Sequence, residues 1–107
     1  MKEALTPALD RFCREVERGE YFAAHETLEA LWFPIRGERE RWEAPALKGL
    51  INGAVALELA RRGRKDAAER VWETYRKYRR ERYPEADEAF GRAKETLEKA
   101  WVKRPSG

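Results

Sequence analysis

Glutamine is absent from this 107-residue chain, and asparagine, serine, histidine and cysteine occur once each. A lone thiol, Cys13, excludes an internal disulfide and fits a reducing compartment. No apolar run approaches the roughly 18–20 residues that a bilayer requires, so no membrane partner is expected. The opening MKEALTPALD lacks the apolar segment of a signal peptide, which makes the cytoplasm the expected location. Gly-rich phosphate loops, nucleophile elbows and CxxC pairs are missing. So are alternating strand patterns, internal repeats and low-complexity tracts. With one imidazole in the chain, any metal site would have to be completed by carboxylates.

What the chain has instead is charge: 23 basic and 20 acidic residues, 40% of the sequence, against 42% hydrophobic. That balance describes a soluble globular chain rather than a disordered one. Scarce amides beside abundant ionic residues give a thermophile-like composition, which offers a non-functional reason for much of the charge.

The apolar periodicity is helical throughout. The spacing predicts a first helix capped by Thr6, with Pro7 at its first position and Leu5, Leu9, Phe12 and Val16 inward, stopped by Gly19. A second helix is expected from about Tyr21 to Phe33, broken by Pro34 and Gly37, with residues 36–44 as a connector tacked down by Trp42. A third, from near Pro45 to Gly63, is apolar around most of its circumference. Gly49 and Gly53 lie four apart on it, which implies close approach of a neighbour at a helix-propensity loss of about 1 kcal/mol each. A fourth is expected over about 65–80, with Ala68, Val71, Trp72, Tyr75 and Tyr78 inward, followed by a break at Tyr83-Pro84. A fifth, over about 85–101, buries Ala86, Phe90, Ala93, Leu97 and Trp101. The expected fold is an all-α compact bundle of about five helices around a Gly-containing apolar central helix, one domain over 1–107 with a frayed tail at about 102–107.

One stretch stands out chemically. YFAAHETLEALW, residues 21–32, puts Phe22, His25, Glu29 and Trp32 on one helical stripe, with Glu26 rotated aside by about 100°. Burying either polar group without a partner would cost several kcal/mol, so His25 and Glu29 are expected to pair with each other or with the central helix. As a structural element, this is a hydrogen-bonded pair that sets helix register. As chemistry, His-Glu-x-x-Glu resembles the zincin His-Glu-x-x-His with glutamate in place of the second histidine. In that reading His25, Glu29 and Glu58, a carboxylate within ALELA, would ligate a divalent metal, with Glu26 as general base.

A second feature lies between Arg61 and Arg82, where ten basic residues face four acidic ones and leave −3 for the rest of the chain. Arg61, Arg62, Arg64, Lys65, Arg76, Lys77, Arg79 and Arg80, with Tyr75, Tyr78 and Tyr83 among them, resemble a surface where cations track phosphates and rings stack on bases. A solvated face of arginine–glutamate networks accounts for the same residues. Cys13, on the apolar side of the first helix, reads as buried rather than reactive.

The run G-E-Y-F-x-A-H-E-x-L-E-x-L-W at residues 19–32, then L-K-G-L-I-x-x-A-V-A-L at 47–57 and R-x-G at 61–63, resembles the small helical family catalogued as domain of unknown function number 309. The likeness extends over about residues 5–80. It implies a compact all-α bundle and no established activity. Phe22, His25, Glu26, Glu29 and Trp32 match the first block, and Gly49, Leu50 and Ile51 the second. The family pattern usually has Gln where Asn52 stands, and many members carry Tyr-His where this chain has Glu58-Leu59.

The functional expectation is an interaction or homo-oligomerising module with a semi-buried polar cleft formed by Phe22, His25, Glu26, Glu29, Trp32, Asn52 and Glu58. The alternatives are a metal-dependent hydrolase built on the HExxE helix and a nucleic-acid-binding module using residues 61–82.

Overall fold

A computed structural model describes residues 2–38, 42–82 and 88–105. It contains α1 (Lys2–Glu17), α2 (Tyr21–Trp32) with a 3-10 turn (Phe33–Ile35), α3 (Glu43–Arg61), α4 (Lys65–Arg82) and α5 (Glu88–Val102). No strand occurs among the described residues, and the chain is an all-α bundle. α3 packs against α2, α4 and α5, while α1 closes the bundle against α2 and α5.

Two glycines set two of the corners in the same way. Gly19 (φ 76°) lets its N–H reach the Val16 carbonyl at 3.0 Å, and the next N–H, of Glu20, reaches Glu15 at 2.8 Å. Gly63 (φ 79°) repeats the arrangement, with its own N–H on Ala60 at 3.0 Å and that of Arg64 on Leu59 at 2.9 Å. At each corner the two bonds satisfy carbonyls that the helix end leaves orphaned, with the glycine in a left-handed conformation that only glycine adopts freely.

Helix α1 starts earlier than its capping pattern suggests. Thr6 is not the cap, and Pro7 lies inside the helix. The extra turn brings Leu5 into register with Leu9, Phe12 and Val16, and all four are buried. Burying one leucine, about 1.5–3 kcal/mol, offsets the single backbone hydrogen bond that Pro7 cannot donate. Similarly, α3 begins at Glu43 rather than Pro45, which places the proline among the first residues, whose N–H groups lack helical partners anyway. α4 runs two residues beyond its expected end, to Arg82; the expected break at Tyr83-Pro84 and the core position Ala86 lie outside the described residues. Trp42 does meet the core, its ring 5.5 Å from that of Phe90.

α3 is central because its residues are small where neighbours come close. A Cβ on Gly53 would lie 2.7 Å from Leu97 Cδ1 and 3.3 Å from Tyr75 Cδ1, so α4 and α5 both close onto that point. Farther out, α4 and α5 are joined by a column of rings: Trp72 stacks on Trp101 (4.3 Å between centroids, 4° between planes) and Tyr75 lies against Trp72 at 4.4 Å. At the C-terminal end Val102 closes α5. The N–H groups of Lys103 and Arg104 donate to Lys99 and Trp101, and the Arg104 guanidinium lies 3.8 Å over the Trp101 ring.

Candidate functional site

α2 buries Ala24 and Leu28 completely, and Ile35 continues that line in the 3-10 turn. The stripe carrying His25 and Glu29 therefore lies at the margin of the core: Phe22 and Glu29 are exposed, while His25 is mostly buried and Trp32 packs against the core. The physical reason lies in the choice between faces: one is continuously apolar, whereas the other would bring a carboxylate with it at several kcal/mol. Phe22 is 53% exposed and closes nothing.

His25 is held locally. Its Nδ1 lies 2.7 Å from the Phe22 carbonyl oxygen, and since a carbonyl only accepts, Nδ1 carries the proton there. Its Nε2 stands 3.8 Å from Glu29 Oε2, longer than a hydrogen bond, and the Glu29 side chain is about half exposed. The ring also tilts against Phe22 at 4.9 Å. This is a weak, solvent-reached pair. Glu26 is exposed and lines a different groove of about 540 Å³ between α1 and α2, beside Pro7, Ala8 and Thr27.

The other predicted residues are dispersed. Trp32 carries Lys48 over its ring at 4.5 Å, and Asn52 Nδ2 donates to the Lys48 carbonyl at 2.9 Å. Trp32, Arg36, Pro45, Lys48 and Tyr78 line an open groove of about 500 Å³ between α2 and α4, with α3 beneath. Glu58 is elsewhere: its buried carboxylate accepts from Arg61 Nε (2.8 Å) and Nη2 (2.7 Å) and from Arg62 Nε (2.7 Å). Those hydrogen bonds, chiefly from Arg61, hold its pKa down at about 2 in spite of burial. Trp32 meets Lys48, and Tyr21 lies within electrostatic reach of Arg61, so α2 and α3 run antiparallel. At 1.5 Å per residue that register separates Glu58 from the level of Glu29 by on the order of 10 Å. Accordingly, among the described residues no group of three or more His, Cys, Asp or Glu is placed to hold a metal ion.

Half of the eight basic residues singled out between Arg61 and Arg82 pair with carboxylates of this chain. Arg61 and Arg62 hold Glu58, Arg76 pairs with Glu73 at 3.1 Å, and Arg79 with Glu98 at 3.3 Å. Arg64, Lys65 and Lys77 are exposed, and the Arg80 side chain lies outside the described residues. Tyr75 is fully buried with its hydroxyl on Glu98 at 2.7 Å, which removes it from any base-stacking surface. Cys13 is partly buried, and burial pushes its thiol pKa up, as expected for an unreactive cysteine.

The polar pair that does fix register is one the sequence reading passed over. Glu15, buried, accepts from Thr27 at 2.6 Å and from Arg11 at 3.3 Å, joining α1 to α2. The signal was present: Glu15 falls between Phe12 and Val16 on the apolar side of α1.

The pattern of the family described as Domain of unknown function (DUF309) matches residues 9–71, more than half of the chain. The chain belongs to the DUF309 family. The DUF309 match takes in α2, α3, the Glu58–arginine cluster and Asn52, and stops within α4 before Tyr78. No curated protein and no solved structure matches the chain. No helix of the described residues is long and apolar enough to cross a membrane.

Proposed function

We propose that this DUF309 chain is an interaction module whose contact surface is the outer face of α2 and its 3-10 turn. The observation that carries this reading is the exposure of two aromatic residues on one helical stripe, Phe22 at 53% and Phe33 at 56%. Single exposed apolar residues are ordinary, but two large rings in line, rimmed by charge, have the composition of a contact surface. Neither ring belongs to the packed core. The hydrolase alternative would need Glu58 to leave two arginines and to reach the level of Glu29. The nucleic-acid alternative would need Arg61, Arg62, Arg76 and Arg79 to give up their carboxylates.

The test is a photo-reactive phenylalanine analogue installed at residue 33 in living cells, with the same analogue at the exposed Glu73 on α4 as control. A discrete crosslinked species is expected from position 33 and absent from the control. Equal or no crosslinking at the two positions would defeat the reading.

A further inference from the structure

Resting on that reading, we infer that the partner seated on α2 is a second copy of this chain, paired antiparallel about a two-fold axis near Phe33. Phe22, Glu29, Phe33 and Arg36 recur at spacings of seven, four and three, one stripe along α2 and its 3-10 turn. The 3-10 geometry does not take Arg36 off this stripe, because its guanidinium lies 3.6 Å over the Phe33 ring and donates to the Phe33 carbonyl.

Charge along the stripe is polarised. Its N-terminal part carries Glu29; its C-terminal part carries Arg36, with Lys48 beside it over Trp32. Among the described residues neither Arg36 nor Lys48 has a carboxylate partner, and Glu29 has only the long contact to His25. Glu38, the acidic residue at the basic end, is already engaged within the chain.

A two-fold contact must be self-complementary. Laid parallel, two such stripes would set Glu29 on Glu29 and Arg36 on Arg36. Laid antiparallel and centred on Phe33, they set ring beside ring and bring Glu29 of each copy, four residues before the centre, to Arg36 of the other, three after it. The rings supply burial and the crossed pairs supply register and orientation.

Sedimentation velocity of the full chain over a wide concentration range tests this, using Glu29→Lys and Arg36→Glu. Wild type is expected to move from monomer to dimer as concentration rises. Each variant alone, which faces like charge with like at both contacts, is expected to pair at least about tenfold more weakly. The equimolar mixture of the two is expected to regain wild-type association. In the mixed dimer the two substituted side chains meet as an opposite-charge pair, and the other crossing keeps Glu29 against Arg36. Circular dichroism checks that both variants remain folded, the expected outcome because both side chains are exposed. A monomeric wild type, variants that pair like wild type, or a mixture that stays apart would each overturn the pairing. A monomer that still crosslinks in cells to a different protein would overturn the pairing and leave the interaction reading intact.

Discussion

The two sides of α3 show what separates structure from surface in this chain. Toward α4 and α5 the helix offers Gly53 and receives Leu97 and Tyr75, both fully buried, with no room for a methyl group. On another side a line of half-buried residues, Pro45, Lys48, Asn52, Val55 and Leu59, runs the length of the helix, its first two residues lining the groove between α2 and α4. The first face is occupied by this chain's own side chains. The second is partly covered and lined by a cation held on a ring. A helix apolar nearly all round thus divides its neighbours unequally, because the bundle has too few helices to surround it.

Predictions that test this division start with the packed side. Leu97→Ala should remove about 2–5 kcal/mol of stability by denaturant unfolding, since the cavity would open where α3, α4 and α5 meet. A loss below about 1 kcal/mol would show that this face is not tightly packed. Intermediate is the end of α3, where Glu58 is held by Arg61 and Arg62. Its pKa falls from 4.5 when free to about 2 when folded, so the ionised form stabilises the fold above pH 4.5. That contribution should fade as pH falls from about 4.5 toward 2, by about 2 kcal/mol after allowing for the half-exposed arginines. In Glu58→Gln this part of the pH–stability curve should flatten. The smallest effect is expected on the open side. Lys48→Ala loses a partly exposed cation–ring contact and should shift stability by only about 0.5–1 kcal/mol. A loss as large as that of Leu97→Ala would erase the distinction between the faces.

Much of this was legible in the residues. Leu5, Leu9, Phe12 and Val16 spell the inward face of α1, Gly19 and Gly63 mark two corners, and Gly53 announces a close neighbour. The candidate site was less legible. His25 and Glu29 share a stripe with Phe22 and Trp32, and the hydropathy of that stripe suits either side of a helix. Which side turns inward depends on what Ala24 and Leu28 meet across the interface, and a single helix does not carry that information. Glu58 invited the same error in reverse: a carboxylate in an apolar run suggested a ligand, while its partners, Arg61 and Arg62, stood only three and four residues on.

The sequence by itself therefore determined what depends on near neighbours along the chain: helix periodicity, glycine stops, the family pattern and the local arginine pairing of Glu58. Tertiary structure alone decided how each helix is rotated about its axis. It also brought Glu15 to Thr27, Tyr75 to Glu98 and Trp72 to Trp101, and left Phe22 and Phe33 outside. Rotation is a collective outcome, since each helix buries the face whose burial costs least against all its neighbours at once.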